Sequence, residues 1–164
     1  MNEGWQAVEV RKEVSGIEDA DPLDQHVYHP VYVDALLLRD HDADVDGTPV
    51  RYYYAHDANF NVTAVATDNG IVAERYRYGA YGYTTIIDND FVDDVDNTSD
   101  IANEFTCGGL MNDSESGLYF ARNRYYHPRL GRFVTRDPIA YGGGSRNLYE
   151  FVASNPARYT DPYG

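Results

Sequence analysis

The chain has 164 residues, room for one domain or for one piece of a larger one. Its 13 basic against 27 acidic side chains leave a formal net charge of -14, which argues against a nucleic-acid partner or an anionic membrane surface. Sixteen tyrosines against two methionines point to sheet rather than helix, because tyrosine favours strands and pairs an apolar face with a polar tip.

In chain order, residues 1–26 are weakly patterned, with "WQAVEV" a candidate strand and no apolar core of a secretory signal. "HPVYVDALLL" and "TPVRYYYAH" then read as strands separated by Asp44-Val45-Asp46-Gly47. "NVTAVAT" and "IVAERYRY" flank Asp68-Asn69-Gly70, and Asn-Gly is a strong hairpin signal because both residues tolerate positive φ. Six aspartates crowd residues 88–100, so 88–104 is expected to be a solvated acidic loop. "LYFARNRYY" and "RFVTRDP" flank His127-Pro128-Arg129-Leu130-Gly131, a third hairpin in which Pro128 presets φ and Gly131 is conformationally permissive. Gly142-Gly143-Gly144 lacks the Lys-Ser/Thr of a phosphate loop and reads as a flexible link. In "RNLYEFVASNP", Leu148, Phe151 and Val152 share one face of a short helix that Asn155-Pro156 should end. No run of about 18 apolar residues is present to span a membrane as a helix, and the single Cys107 excludes an internal disulfide.

The expected fold class is therefore all-β, an antiparallel β-hairpin meander with one short C-terminal helix. A meander of this length exposes two sheet edges and buries little core, so the chain is expected to be the end of a longer sheet or a remnant of one.

Residues 58–82, "ANFNVTAVATDNGIVAERYRYGAYG", resemble a YD repeat of the RHS (rearrangement hotspot) proteins. Residues 117–164, "GLYFARNRYYHPRLGRFVTRDPIAYGGGSRNLYEFVASNPARYTDPYG", resemble the RHS-associated core that closes such arrays. Pattern and resemblance together divide the chain into a weakly structured segment 1–26, YD-like hairpins 27–87, the acidic loop 88–104 and the core 105–164. The resemblance implies a β-shell whose end is plugged by the core and which encloses or displays a C-terminal polypeptide. It also implies a secreted or cell-surface setting, and as partners upstream repeats or the enclosed polypeptide; the acidic charge argues against nucleic acid. Adhesive relatives imply an alternative in which exposed tyrosines bind glycans or a cell surface.

By the same resemblance, Arg124, Asp137 and Asp161 fall on the family's Arg and two Asp positions for aspartyl-type autoproteolysis. Such chemistry needs two carboxylates sharing a proton, one as base on water and the other as acid on the carbonyl. Asp-Pro pairs such as Asp137-Pro138 and Asp161-Pro162 also serve as ordinary turns, and an Arg–Asp pair as a structural ion pair. The chain stops at Gly164, before the leucine of the family's "DPxGL", so no self-cleavage is expected of it as it stands.

No cofactor is required by this reading. The spacing of Asp42, Asp44 and Asp46 before Gly47 matches the start of a D-x-D-x-D-G calcium loop, although Tyr53 stands where an EF-hand has its Glu. Calcium at that turn, or a solvated acidic turn, are the two readings. The five histidines have no metal-ligand spacing, and Cys107, without a basic neighbour, reads as a packed thiol.

Overall fold

The computed structural model describes residues 6–88, 91–94 and 96–164. Residues 1–5 of the N-terminal segment, Trp5 of its candidate strand among them, and Asn89, Asp90 and Val95 of the acidic loop lie outside the described residues. The strands are β1 (Glu9–Val10), β2 (Glu13–Val14), β3 (Ile17–Glu18), β4 (Asp24–Tyr28), β5 (Leu36–His41), β6 (Val50–His56) and β7 (Val62–Thr67). They continue as β8 (Val72–Tyr78), β9 (Thr84–Ile87), β10 (Met111–Asp113), β11 (Leu118–Ala121), β12 (Arg124–His127) and β13 (Arg132–Phe133). A seven-stranded antiparallel sheet runs β1-β4-β5-β6-β7-β8-β9, a second sheet runs β10 to β13, and β2 pairs with β3. The fold is an all-β meander, and each hairpin read from the sequence is present.

The turns explain the registers. Gly47, Gly70 and Gly131 all have φ between 63° and 83°, where a side chain is strained. At Gly131 a Cβ would also lie 2.8 Å from the Tyr81 ring, so the β12–β13 turn packs on the first sheet through that position. Period-two burial holds in β6, where Tyr52 and Tyr54 are buried and Tyr53 is 45% exposed. In β8 the same alternation buries Glu74 beside Tyr76.

Two cores result. Leu36, Tyr52, Tyr54, Val62, Val65, Tyr76, Ile86 and Phe105 fill the first. Leu110, Tyr119, Ala121, Tyr126, Phe133 and Phe151 fill the second. Tyrosine tips join them: the Tyr119 hydroxyl bonds Thr106 at 3.0 Å and donates to Gly82 O at 3.2 Å, and Tyr126 donates to Tyr81 O at 2.7 Å. Much of the tyrosine excess is thus packing with a satisfied hydroxyl.

One expectation changes, and two segments gain partners. The short C-terminal helix is instead a single 3-10 turn, Val152–Ser154. Val152, Ala153 and Ser154 have φ of 43°, 52° and 55°, a left-handed path that a right-handed helix cannot follow. Phe151 and Val152 still reach the second core, so the apolar spacing reported burial and not helix. Within the 1–26 segment, β1 pairs with β4, held further by Leu23 N to Val10 O and His26 N to Val8 O, both 2.9 Å. The acidic loop is solvated at Asp93, Asp96 and Asp100, but residues 99–105 return across the first sheet. There Ser99 and the Ile101 amide bond the Glu74 carboxylate, and Arg39 donates to the carbonyls of Ile101 and Ala102.

Candidate functional site

Arg124 opens β12 on the face that carries Tyr126, so strand alternation turns a guanidinium toward the second core. It pairs with Ala121 across the two-residue turn Arg122-Asn123. Its side chain is 6% exposed, and its guanidinium carbon lies 3.5 Å from the centroid of the Phe133 ring. Among the described residues its Nε has no hydrogen-bond partner, which leaves the ring face and two carboxylates to balance the charge.

Those carboxylates are Asp137 and Asp161. Arg124 Nη1 is 3.4 Å from Asp137 Oδ2, and Nη2 is 3.5 Å from Asp161 Oδ2. The other oxygen of each caps its own Asp-Pro turn: Ile139 N donates to Asp137 Oδ1 at 2.9 Å, and Gly164 N to Asp161 Oδ1 at 3.0 Å. Asp137 is held further by its amide, which donates to Leu148 O at 2.9 Å. The structure therefore brings together the three residues singled out by resemblance. It does so with the guanidinium bridging the two acids, at distances longer than the 2.7–2.9 Å typical of a tight charge-assisted bond.

A cavity of about 180 Å³ opens on this cluster and is also lined by Ser145, Asn147 and Glu150. Glu150 is a third carboxylate that the sequence reading passed over. Ser145 Oγ donates to it at 2.7 Å and Ser154 Oγ at 2.9 Å, and these bonds hold its carboxyl below the ordinary glutamate value. The available signal was two serines bracketing an acid in "GGGSRNLYEFVAS".

The calcium reading lacks the convergence it needs. Asp42 is buried, with its oxygens accepting Asp46 N at 3.2 Å and Gly47 N at 2.7 Å, while Asp46 Oδ1 accepts Thr48 N at 2.9 Å. Asp44 is exposed, and no group of three or more His, Cys, Asp or Glu among the described residues is placed to hold a metal. The carboxylates of Asp42 and Asp46 are occupied by amides of their own turn. Burial opposes ionisation of Asp42, but those amides outweigh it and its pKa is lowered. Its stabilisation is therefore present above the ordinary aspartate pKa and fades as pH falls through the lower folded value. Asp42→Ala should lower the melting temperature by roughly a few degrees, equally in EDTA and in millimolar calcium. A calcium-dependent rise in the parent that vanishes in Asp44→Ala would reinstate the metal. Cys107 is a packed thiol, pushed up to about 12 by burial.

A seven-stranded sheet is continued by a smaller aromatic sheet, and the tail turns back to meet an inward arginine. No protein-family model matches the chain. A tRNA3(Ser)-specific nuclease, WapA of Bacillus spizizenii, is 32% identical over 118 residues, 70% of this chain and 5% of that protein. The probable deoxyribonuclease RhsA of Dickeya dadantii is 50% identical over 56 residues, 34% of this chain and 4% of that protein. Among solved structures, TcdB2-TccC3 superposes with a TM-score of 0.67 at 21% identity, covering 92% of this chain and 7% of that one. The chain belongs to the RHS/YD-repeat proteins and carries their C-terminal repeat-associated core. It spans about one-twentieth of the length of the nuclease it matches.

Proposed function

We propose that this chain closes the shell of a toxin-type RHS protein, and that Arg124, Asp137 and Asp161 cut the polypeptide that follows the core. The observation that carries the reading is the meeting of two Asp-Pro carboxylates on one buried guanidinium at the mouth of a cavity. One carboxylate takes a proton from a water, whose oxygen adds to the peptide carbonyl carbon. The other, protonated, donates to the carbonyl oxygen. Collapse of the tetrahedral centre breaks the C–N bond; the departing amine takes the proton that the first carboxylate drew from water, and the hydroxyl proton returns to the second carboxylate. Arg124 holds both carboxylates in place and offsets developing negative charge. The contacts of 3.4 and 3.5 Å leave room for tightening when a peptide enters, as catalytic hydrogen bonds commonly do. The released segment is a toxic domain, by analogy with the nuclease activities named for the relatives.

The test extends the chain beyond Gly164 with leucine and a reporter segment, with upstream repeats restored. Cleavage near the junction is expected, and Asp137→Asn or Asp161→Asn should each slow it by about 100-fold or more, because each removes one member of the acid–base pair. A folded, extended protein that stays intact would reduce the cluster to a structural ion-pair network.

A further inference from the structure

The cluster accounts for Arg124 but not for the two residues before it. Arg122 and Asn123 form the tip of the β11–β12 hairpin, and both point their donors at the tail. Arg122 Nη1 donates to Pro162 O, and Asn123 Nδ2 donates to Tyr163 O at 2.8 Å. From the other side, Asp161 Oδ1 accepts the amides of Tyr163 at 3.3 Å and Gly164 at 3.0 Å. Two successive peptide groups are thus gripped through their carbonyls by the hairpin and through their amides by an acid of the cluster.

Three further observations show how tight the grip is. Gly164 has φ 74°, and a Cβ there would lie 1.6 Å from Ala121 O, so the tail lies directly on the hairpin backbone. Tyr163, by contrast, is 76% exposed, and the bonds described engage its backbone alone. Arg122 is itself held by Asp34, which takes Nη1 at 3.1 Å and Nη2 more closely. Asp34 lies between β4 and β5 in the first sheet, and it is fixed there: a Cβ on Gly109 would sit 2.1 Å from Asp34 O. The grip therefore assembles only when the two sheets are docked.

We propose that Asp34, Arg122 and Asn123 are a positioning clamp that reads the backbone after Asp161 and sets which downstream peptide bond reaches the cluster. This rests on the self-cleavage reading. Because the contacts are to backbone, the clamp fixes register and tolerates a change of side chain at position 163, but not a side chain at 164.

Asn123→Asp tests it with little risk to the fold. The side chain is exposed and the new one has the same shape, but an acceptor now faces the Tyr163 carbonyl. In the 164-residue chain, the amides of Tyr163 and Gly164 should exchange about tenfold faster by NMR. The Phe133 amide, bonded to Tyr149 O at 2.9 Å, should be unchanged and reports the fold. The pair Asp34→Asn/Arg122→Gln should do the same without leaving a charge unpaired. In the extended protein these variants should spread the cut over several positions, a result that lost stability alone does not produce. Tyr163→Ala should leave exchange and cut site as they were. Unchanged tail exchange in folded Asn123→Asp, or a tail freed equally by Tyr163→Ala, would overturn the clamp. An extended chain that stays uncut while its tail amides remain protected would overturn the cleavage reading and leave the clamp standing.

Discussion

Phe133→Ala should lower the unfolding free energy by about 3–5 kcal/mol, the usual cost of emptying a buried phenylalanine site. Phe133 is 0% exposed and meets Tyr126 and Phe151 edge-on at 5.8 and 5.7 Å. Those two rings lie 4.1 Å apart, so the three form one aromatic cluster with little freedom to collapse into the gap. The ring also sits under Arg124, 3.5 Å away, and removing it takes a face from a guanidinium already short of partners. With total stabilities of roughly 5–15 kcal/mol, such a loss consumes much of the margin. Urea denaturation would measure it. Phe133→Leu separates the two effects, since it restores most of the volume without the π face. That variant should fold, yet slow cleavage of the extended protein beyond what its stability change explains. A loss below about 1 kcal/mol for Phe133→Ala would mean that the second core does not hold this site rigid.

Asn103→Ala should cost a similar amount, about 3–5 kcal/mol, for a different reason: it strands several buried polar groups at once. The Asn103 Oδ1 accepts Tyr54 Oη at 2.9 Å and Phe105 N at 3.2 Å, and Nδ2 donates to Tyr76 Oη at 2.8 Å and Phe105 O at 2.9 Å. The side chain's hydrogen bonds tie the returning segment to two strands of the first sheet. Tyr76 also donates to Glu74, so the network ends on a buried carboxylate. Asn103→Asp tests the electrostatics. It replaces the donor with an acceptor and adds a second acid near Glu74, which should raise the new carboxyl's pKa. With a folded pKa above the unfolded one, the variant is penalised most at neutral pH. The deficit should shrink as pH falls through the folded value and carboxyl protonation restores a donor. A pH-independent deficit would show that lost packing dominates.

The two networks differ in how far they were legible in the sequence. Turn chemistry at Gly47, Asn69-Gly70 and Gly131 was readable because a turn is decided by the backbone preferences of adjacent residues. Family resemblance, and not spacing, singled out Arg124, Asp137 and Asp161, since nothing in their separation says that three chain segments converge. Residues 99–104 read as loop because they continue the aspartate-rich run of 88–100. Their polar groups find partners on β5, β6, β8 and β10, which the local pattern cannot specify. Acidic spacing at 42–47 was legible as a turn, but whether its carboxylates face an ion or their own amides depends on φ at Val45 (55°) and Gly47 (83°).

By itself, then, the sequence determined the all-β class and the hairpins, because each follows from strand-favouring residues and turn residues within a few positions. Tertiary structure decided the rest. It replaced the expected helix at Leu148, Phe151 and Val152 with a left-handed turn, because seating Phe151 against Tyr126 and Phe133 sets the chain's path more strongly than local helical spacing. It drew Glu150 to the cavity beside Arg124, and it placed Asp34 of one sheet on Arg122 of the other. Contacts between residues 88 positions apart depend on how two sheets dock, and no periodicity records that.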